Sequence, residues 1–356
     1  MISALFALTA SAQELPENLT YGGFIYNTTF GDKNWQKDRT VAAVNVDYFV
    51  DRLAFRTQLS TYENQPVRRA VVEYAHPIAS SIEMIYQGGR FSRSDTFYEG
   101  ITDNPGNYHQ AVLPFAGYSY RMFNGAFVIM DGVNAKSVIK LDDAIISARV
   151  TYGTPTIPSQ KDLQFEAFRR EFKGYMINGT NDNYDISAHY ETKNWHTYIH
   201  RSMYRFDDTT DGQPEGNYAY KLVSHIDYRL DKFGIKYDDS DYVAQIEWFH
   251  DITAMNNVKE VINGRNNAVG FNYLLGYYID GNWFAYGGRS YGRNRIAFSH
   301  NEDNYLGVTY SNADWTFSFE LHDGEGFAWR RYDAPYVKLP NVPSWNTWVT
   351  SVTYRF

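Results

Sequence analysis

Leu53-Ala-Phe-Arg-Thr-Gln-Leu-Ser-Thr-Tyr62 alternates apolar and polar side chains over ten residues. Successive side chains of an extended strand point to opposite faces, so Leu53, Phe55 and Leu59 share one face while Arg56, Gln58 and Ser60 share the other. The same division recurs in Trp315, Phe317, Phe319 and Leu321 against Thr316, Ser318, Glu320 and His322, and in Ile186, Ala188 and Tyr190 against Asp185, Ser187 and His189. A soluble sandwich also alternates, but its strands typically run to about five or six residues. Runs of about ten residues match the length that crosses a bilayer at barrel tilt.

Composition agrees with strands of this kind. The 356 residues contain 26 Gly, 31 Tyr, 23 Phe and 8 Trp, yet mean hydropathy is only -0.50. No stretch of 13–356 approaches the roughly 18 consecutive apolar residues of a membrane helix, which excludes a helical membrane protein. A transmembrane β-barrel remains, because averaging its lipid-facing and lumen-facing residues hides the apolar face. The absence of cysteine suits an oxidising compartment. With 33 basic against 41 acidic residues, a net charge of -8 argues against a nucleic-acid partner, which would require a basic footprint.

The N-terminal MISALFALTASAQ reads as an apolar signal-peptide core with Ala10 and Ala12 at the small-residue cleavage positions, but without the usual basic start. Residues 1–12 are therefore expected to be a signal-peptide remnant, and 13–356 a single barrel domain. Short polar turns fall at Asp51-Arg52, His76-Pro77, Asp142-Asp143, Lys193-Asn194, Asp239-Ser240, Asp280-Gly281-Asn282 and Asn312-Ala313. Longer Gly-, Asn-, Asp- and Pro-rich segments lie between them at 31–40, 63–67, 91–125, 154–173, 207–219, 254–266, 294–303 and 323–346. Seven turns interleaved with eight loops predict sixteen antiparallel strands with both chain ends on the short-turn side, the parity of a closed barrel. The expected strands are 19–30, 41–50, 53–62, 68–76, 80–90, 126–140, 144–153, 174–191, 195–206, 220–238, 241–253, 267–279, 283–293, 304–311, 314–322 and 347–356. The 126–140 and 220–238 segments are long and interrupted, and splitting the first would give eighteen strands instead.

The last strand ends Thr353-Tyr-Arg-Phe356, with Trp348, Val352, Tyr354 and Phe356 on its apolar side. This ending resembles the terminal assembly signal of bacterial outer-membrane barrels. The turn pattern, with units such as Gly234-Ile-Lys-Tyr-Asp-Asp-Ser-Asp-Tyr-Val-Ala-Gln-Ile-Glu-Trp248, resembles the sixteen-stranded, trimeric general porins of Gram-negative outer membranes. The resemblance implies a water-filled channel for passive diffusion of small hydrophilic solutes and ions, a homotrimer in contact with outer-membrane lipid and lipopolysaccharide, and recognition by the barrel-assembly machinery through the strand ending at Phe356. It also implies a third extracellular loop folded inward to narrow the pore, for which 91–125 is the matching segment.

That loop carries Asp95, Glu99 and Asp103 among Phe91, Phe97 and Tyr98, a mixture suited to an acidic surface anchored on the wall by rings. Alternation sends Arg56, Arg69 and Arg149 into the lumen, where they would complete a transverse field. An arginine among lipid tails costs about 2–4 kcal/mol at the bilayer midplane, which favours the same placement. Arg90 and Arg93 flank the loop's start and are placed to pair with its acids. These eight residues form the expected constriction. Tyr48, Tyr190, Trp195, Trp248, Trp283, Trp315, Trp348 and Phe356, together with Tyr21, Tyr74, Tyr86, Tyr273 and Tyr277, fall on outward faces, and amphipathic rings there suit the headgroup level. An alternative is an oligosaccharide-selective channel in which inward Tyr198, Tyr204, Phe249 and Phe284 stack sugar rings.

Two rivals belong to other classes. In an outer-membrane enzyme, His196, His200 and Ser202 would share one face of a strand, but two histidines four residues apart on a strand stand about 13 Å apart, too far to serve one nucleophile or metal. The acid clusters Asp207-Asp208 with Asp211 and Asp238-Asp239 with Asp241 lack the ordered spacing of a calcium loop. No catalytic residues, cofactor or metal ligands are expected. The other rival, a soluble all-β carbohydrate-binding protein, conflicts with the terminal Phe strand and the alternation of short turns with long loops.

Overall fold

The structure, a computed structural model, describes residues 16–31, 39–61, 66–92, 97, 110, 129–155, 182–207, 225–256, 264–294, 301–325 and 344–356. Sixteen strands follow one another: β1 (Leu19–Phe30), β2 (Arg39–Val50), β3 (Leu53–Ser60), β4 (Val67–Ala79), β5 (Ile82–Ser92), β6 (Ile129–Lys140), β7 (Ala144–Pro155), β8 (Asp182–Thr192), β9 (Trp195–Asp207), β10 (His225–Asp238), β11 (Tyr242–Asn256), β12 (Gly264–Tyr278), β13 (Trp283–Asn294), β14 (Asn301–Ser311), β15 (Trp315–Glu325) and β16 (Ser344–Arg355). Each pairs antiparallel with its chain neighbours, and β1 pairs with β16 to close a barrel. Closure runs in register from Phe24 opposite Arg355 to Phe30 opposite Val349. It is extended by reciprocal bonds between Gly23 and Phe356, at 2.9 and 3.1 Å. The eighteen-strand alternative falls because β6 is one uninterrupted strand within a closed ring of sixteen.

The expected turn at His76-Pro77 is a correction. Both residues belong to β4, opposite Met84 and Glu83, and the turn lies at Ser80-Ser81. Ile78 is left unpaired between Pro77 and Ala79 as a bulge, and a proline that cannot donate to the ladder is tolerated beside such an irregularity. Elsewhere the short turns are where the polar pairs stand. At the β10–β11 turn the Asp239 carboxylate accepts the Tyr237 hydroxyl (2.7 Å) and the amides of Asp241 (3.0 Å) and Tyr242 (2.7 Å). These bonds, the hydroxyl's first, hold its carboxyl below the usual carboxylate range.

Burial along the strands is the inverse of a soluble protein. On β15, Trp315, Phe317, Phe319 and Leu321 are 40–53% exposed, whereas Thr316, Ser318, Glu320 and His322 are at most 5% exposed. Water would penalise such an apolar exterior at roughly 25 cal/mol per Å², while hydrocarbon would not. Outward rings near the short turns pair across strands: Trp195 with Tyr237 (4.9 Å), Tyr242 with Tyr277 (5.2 Å), Trp283 with Tyr310 (5.0 Å) and Trp315 with Tyr354 (4.7 Å). Six to eight residues up the strands come Tyr152 with Tyr184 (5.0 Å), Phe271 with Tyr291 (5.2 Å), Trp248 and Trp348. At about the same height are the outward ion pairs Arg90–Asp131 (2.7 Å), Arg201–Asp231 (2.6 Å) and Arg289–Glu302 (2.6 Å). Eight residues measure about 27 Å along a strand, or roughly 20 Å of height at about 40° tilt. The apolar belt is thus bounded below by rings and above by rings and charges, at nearly the thickness an outer-membrane barrel presents.

Several large inward rings lie against the wall over a glycine of the neighbouring strand. Phe284 covers Gly276, Tyr198 covers Gly234, Tyr286 covers Gly307 and Trp345 covers Gly324, so that a Cβ at any of these glycines would stand inside the ring above it. Gly276→Val is therefore expected to destabilise the barrel by about 1–3 kcal/mol through overpacking. The measurement is urea unfolding from lipid vesicles; an unchanged midpoint would show that Phe284 does not rest on Gly276.

Candidate functional site

The inner wall divides into two sectors. On β2–β6 it carries a water-accessible ladder of charges and amides. Arg56 reaches Asp47 on β2 (3.3 Å) and Glu73 on β4 (3.1 Å), and Arg69 reaches Asp47 from the other side (3.3 Å). Gln87 continues the ladder by donating to Glu73, and Asn134 donates to Gln87 (2.7 Å). Side-chain exposures of 29% for Arg56, 23% for Arg69 and 17% for each acid leave the ladder in contact with the lumen. The Arg56 guanidinium also lies 5.5 Å from the ring centroid of Phe49.

Arg56 and Arg69 thus face inward as expected, but each is matched by carboxylates. The sequence reading passed over Arg68, the chain neighbour of Arg69 on β4. A register shift between Gln58 and Leu59 leaves Arg68 without an opposite residue on β3, so strict alternation fails there. A bulge re-aims a side chain in this way, and Arg68 is buried. Arg149 also faces inward, opposite Lys136 on β6 and Ser187 on β8.

Arg90 is a correction. It stands on the outward face with Gly88 and Tyr86, because Phe91 and Met130 beside it are packed inward with Val71. Its guanidinium forks onto Asp131, with two bonds of 2.7 Å, so it takes no part in the lumenal cluster. Arg93, Asp95, Glu99 and Asp103 lie outside the described residues. The eight aromatic positions Tyr48, Tyr190, Trp195, Trp248, Trp283, Trp315, Trp348 and Phe356 are all exposed, at 39–48%.

On β8–β15 the inner wall is polar but buried. Glu247 accepts the Tyr198 hydroxyl (2.6 Å), and Glu320 accepts that of Tyr286 (2.8 Å). His322 bridges Asp303 (3.0 Å) and Glu320 (3.0 Å). Buried acids of this kind are tolerated only when hydrogen-bonded or paired. Two described residues of the 91–125 segment touch this sector. The Phe97 ring packs edge-on against His196 (5.1 Å) and Tyr198 (5.0 Å), and buried Gln110 hydrogen-bonds Tyr305. Of the rings considered for sugar stacking, Tyr198, Phe249 and Phe284 are at most 2% exposed and present no face to a solute.

Ser202, His200 and Asp185 do meet, but not as a nucleophilic relay. The Ser202 hydroxyl donates directly to Asp185, and a single imidazole nitrogen, His200 Nε2, faces both the serine (3.2 Å) and the aspartate (3.4 Å). A working triad places its hydroxyl and its carboxylate on opposite ring nitrogens, and all three residues here are at most 4% exposed. His196 turns instead toward His189 and Glu191 across the β8–β9 hairpin. This grouping escaped the sequence reading, which compared His196 only with His200 and expected no metal ligands.

No protein-family model and no curated protein sequence matches the chain. Solved structures do. OmpT of Vibrio cholerae, expressed in the outer membrane, aligns over 95% of this chain and 97% of its own at 13% identity, with a TM-score of 0.57. The anion-selective porin of Comamonas acidovorans aligns over 95% and 99% at 10% identity, TM-score 0.58. OmpF of Salmonella typhi, solved with daunomycin, aligns over 97% and 100% at 15% identity, TM-score 0.53. The chain has the sixteen-stranded antiparallel barrel fold of the outer-membrane porins.

Proposed function

We propose that the protein is an outer-membrane porin, a channel for passive diffusion of small hydrophilic solutes and ions. One observation carries the reading: the closed barrel exposes an apolar belt outside while Arg56, Arg69, Asp47 and Glu73 meet water inside. Sixteen strands enclose a lumen too wide for side chains to fill. An inward-folded 91–125 loop is the proposed constriction, supported by Phe97 and Gln110 against the β9–β14 wall. Its acids Asp95, Glu99 and Asp103, with Arg93, would then oppose the Arg56, Arg69 and Arg149 wall across the narrowest section.

The outward aromatic rows would anchor the barrel at the two headgroup levels, in contact with lipid and lipopolysaccharide. By the same likeness we propose a homotrimer, assembled through recognition of the strand ending at Phe356. Selectivity would follow from wall charge and diameter alone. No step of this function calls for a cofactor or a catalytic group.

Purified protein in a planar bilayer should give discrete conductance steps in potassium chloride. Folded protein without such steps would remove the channel reading. Arg56→Ala leaves Asp47 and Glu73 with one fewer cation between them. A unit charge about 7 Å from an ion path in water is worth roughly 0.6 kcal/mol. The reversal potential under a salt gradient should therefore shift toward cations, by roughly two- to threefold in permeability ratio. An unshifted reversal potential would place Arg56 away from the ion path. In urea unfolding, the double-mutant cycle of Arg56→Ala with Glu73→Ala should show a coupling of up to about 1 kcal/mol; additive losses would mean the pair contributes nothing.

A further inference from the structure

His189 and Glu191 lie two residues apart on β8 and so share its inward face, and Glu191 stands directly opposite His196 on β9. The hairpin between them is tight, with the Thr192 hydroxyl accepting the Trp195 amide (3.0 Å). His189 Nδ1 lies 3.1 Å from His196 Nε2, which lies 3.4 Å from Glu191 Oε1. All three donor atoms fall within 4.8 Å of one another. In a tetrahedral site with ligands about 2.0–2.1 Å from the metal, neighbouring ligand atoms stand about 3.3 Å apart. Two edges of such a site are already formed.

The supports are equally specific. Phe97 packs edge-on against the His196 ring, and Tyr198 stacks 5.8 Å over that of His189. Tyr198 is itself tied to Glu247 by its hydroxyl, so each imidazole has a ring packed against it, and the one on His189 is anchored to the wall. His189 is buried, while the side chains of His196 and Glu191 are 29% and 45% exposed. That leaves an approach from the lumen and room for water at the remaining position. Lys236 lies opposite His196 on β10 and would repel a cation, but its ammonium is held by Asp238 at 2.8 Å. We infer that His189, Glu191 and His196 form a lumenal binding site for a zinc-class divalent cation. Two imidazoles with one carboxylate suit Zn²⁺, whereas Mg²⁺ and Ca²⁺ require oxygen ligands.

The site goes beyond the channel reading, and its test needs only the folded barrel, so either can fail without the other. ZnCl₂ titrated calorimetrically into the detergent-folded full chain should bind saturably at one ion per chain, and MgCl₂ should not. His196→Ala should abolish binding, Glu191→Gln should weaken it by at least about tenfold, and His250→Ala on the outward face should leave it intact. Heat-modifiable gel migration identifies folded protein in each case. Because Glu191 is substantially exposed, Glu191→Gln provides the test should the histidine variants not fold. Absence of saturable Zn²⁺ binding, full affinity in folded Glu191→Gln, or loss of binding in His250→Ala would each overturn the site.

Discussion

Inside hydrocarbon no water is available for a free peptide group, and each unsatisfied one costs several kcal/mol. The pairing of β1 with β16 is therefore the constraint on which the rest of this structure depends. It removes both sheet edges at once, and with them the strand ends that would otherwise seek another chain. Gly23 makes the final approach possible, since a Cβ there would collide with the Phe356 ring and the Ala43 carbonyl. Once the ring is closed, every strand must present one face to lipid and one to the enclosed space. The alternation of apolar and polar residues follows from that geometry.

The interior is not uniform. Around β2–β6, Arg56 bridges Asp47 and Glu73, Arg69 pairs with Asp47, and Gln87 and Asn134 continue the ladder, which stays partly exposed. Around β8–β15 the acids are removed from water and carried by tyrosine hydroxyls and a histidine. The first sector can act on a passing ion through its field. The second is a packed polar surface against which the Phe97 ring packs, and its glycines let aromatic side chains lie against the wall instead of obstructing the bore.

Much of this was legible in the amino-acid order because a strand of period two has only one way to face two solvents. The segments at 53–62 and 314–322 could be assigned face by face, and the polar pairs at Asp51-Arg52 and Lys193-Asn194 do mark turns. Bulges are where the reading failed. Ile78 carries the strand past Pro77, and the irregularity at Gln58 leaves Arg68 without an opposite residue on β3, so that strict alternation no longer assigns its face. Arg90 was misplaced for a different reason: it shares parity with outward Tyr86, but its nearness to the loop was given more weight than its face. The His189, Glu191 and His196 grouping needed cross-strand register, since comparing residues along one strand cannot show what stands opposite.

The central claim, one wall against oil and the other against water, can be measured position by position because the native chain has no cysteine. Single spin labels introduced by Phe55→Cys, Leu59→Cys and Val72→Cys, and by Arg56→Cys, Arg69→Cys and Glu73→Cys, would be placed in lipid vesicles. Their relaxation by oxygen and by a water-soluble nickel complex would then be compared. The account predicts oxygen-dominated relaxation for the first three and nickel-dominated relaxation for the others, alternating residue by residue between Phe55 and Arg56. Nickel reaching both sets equally would contradict it.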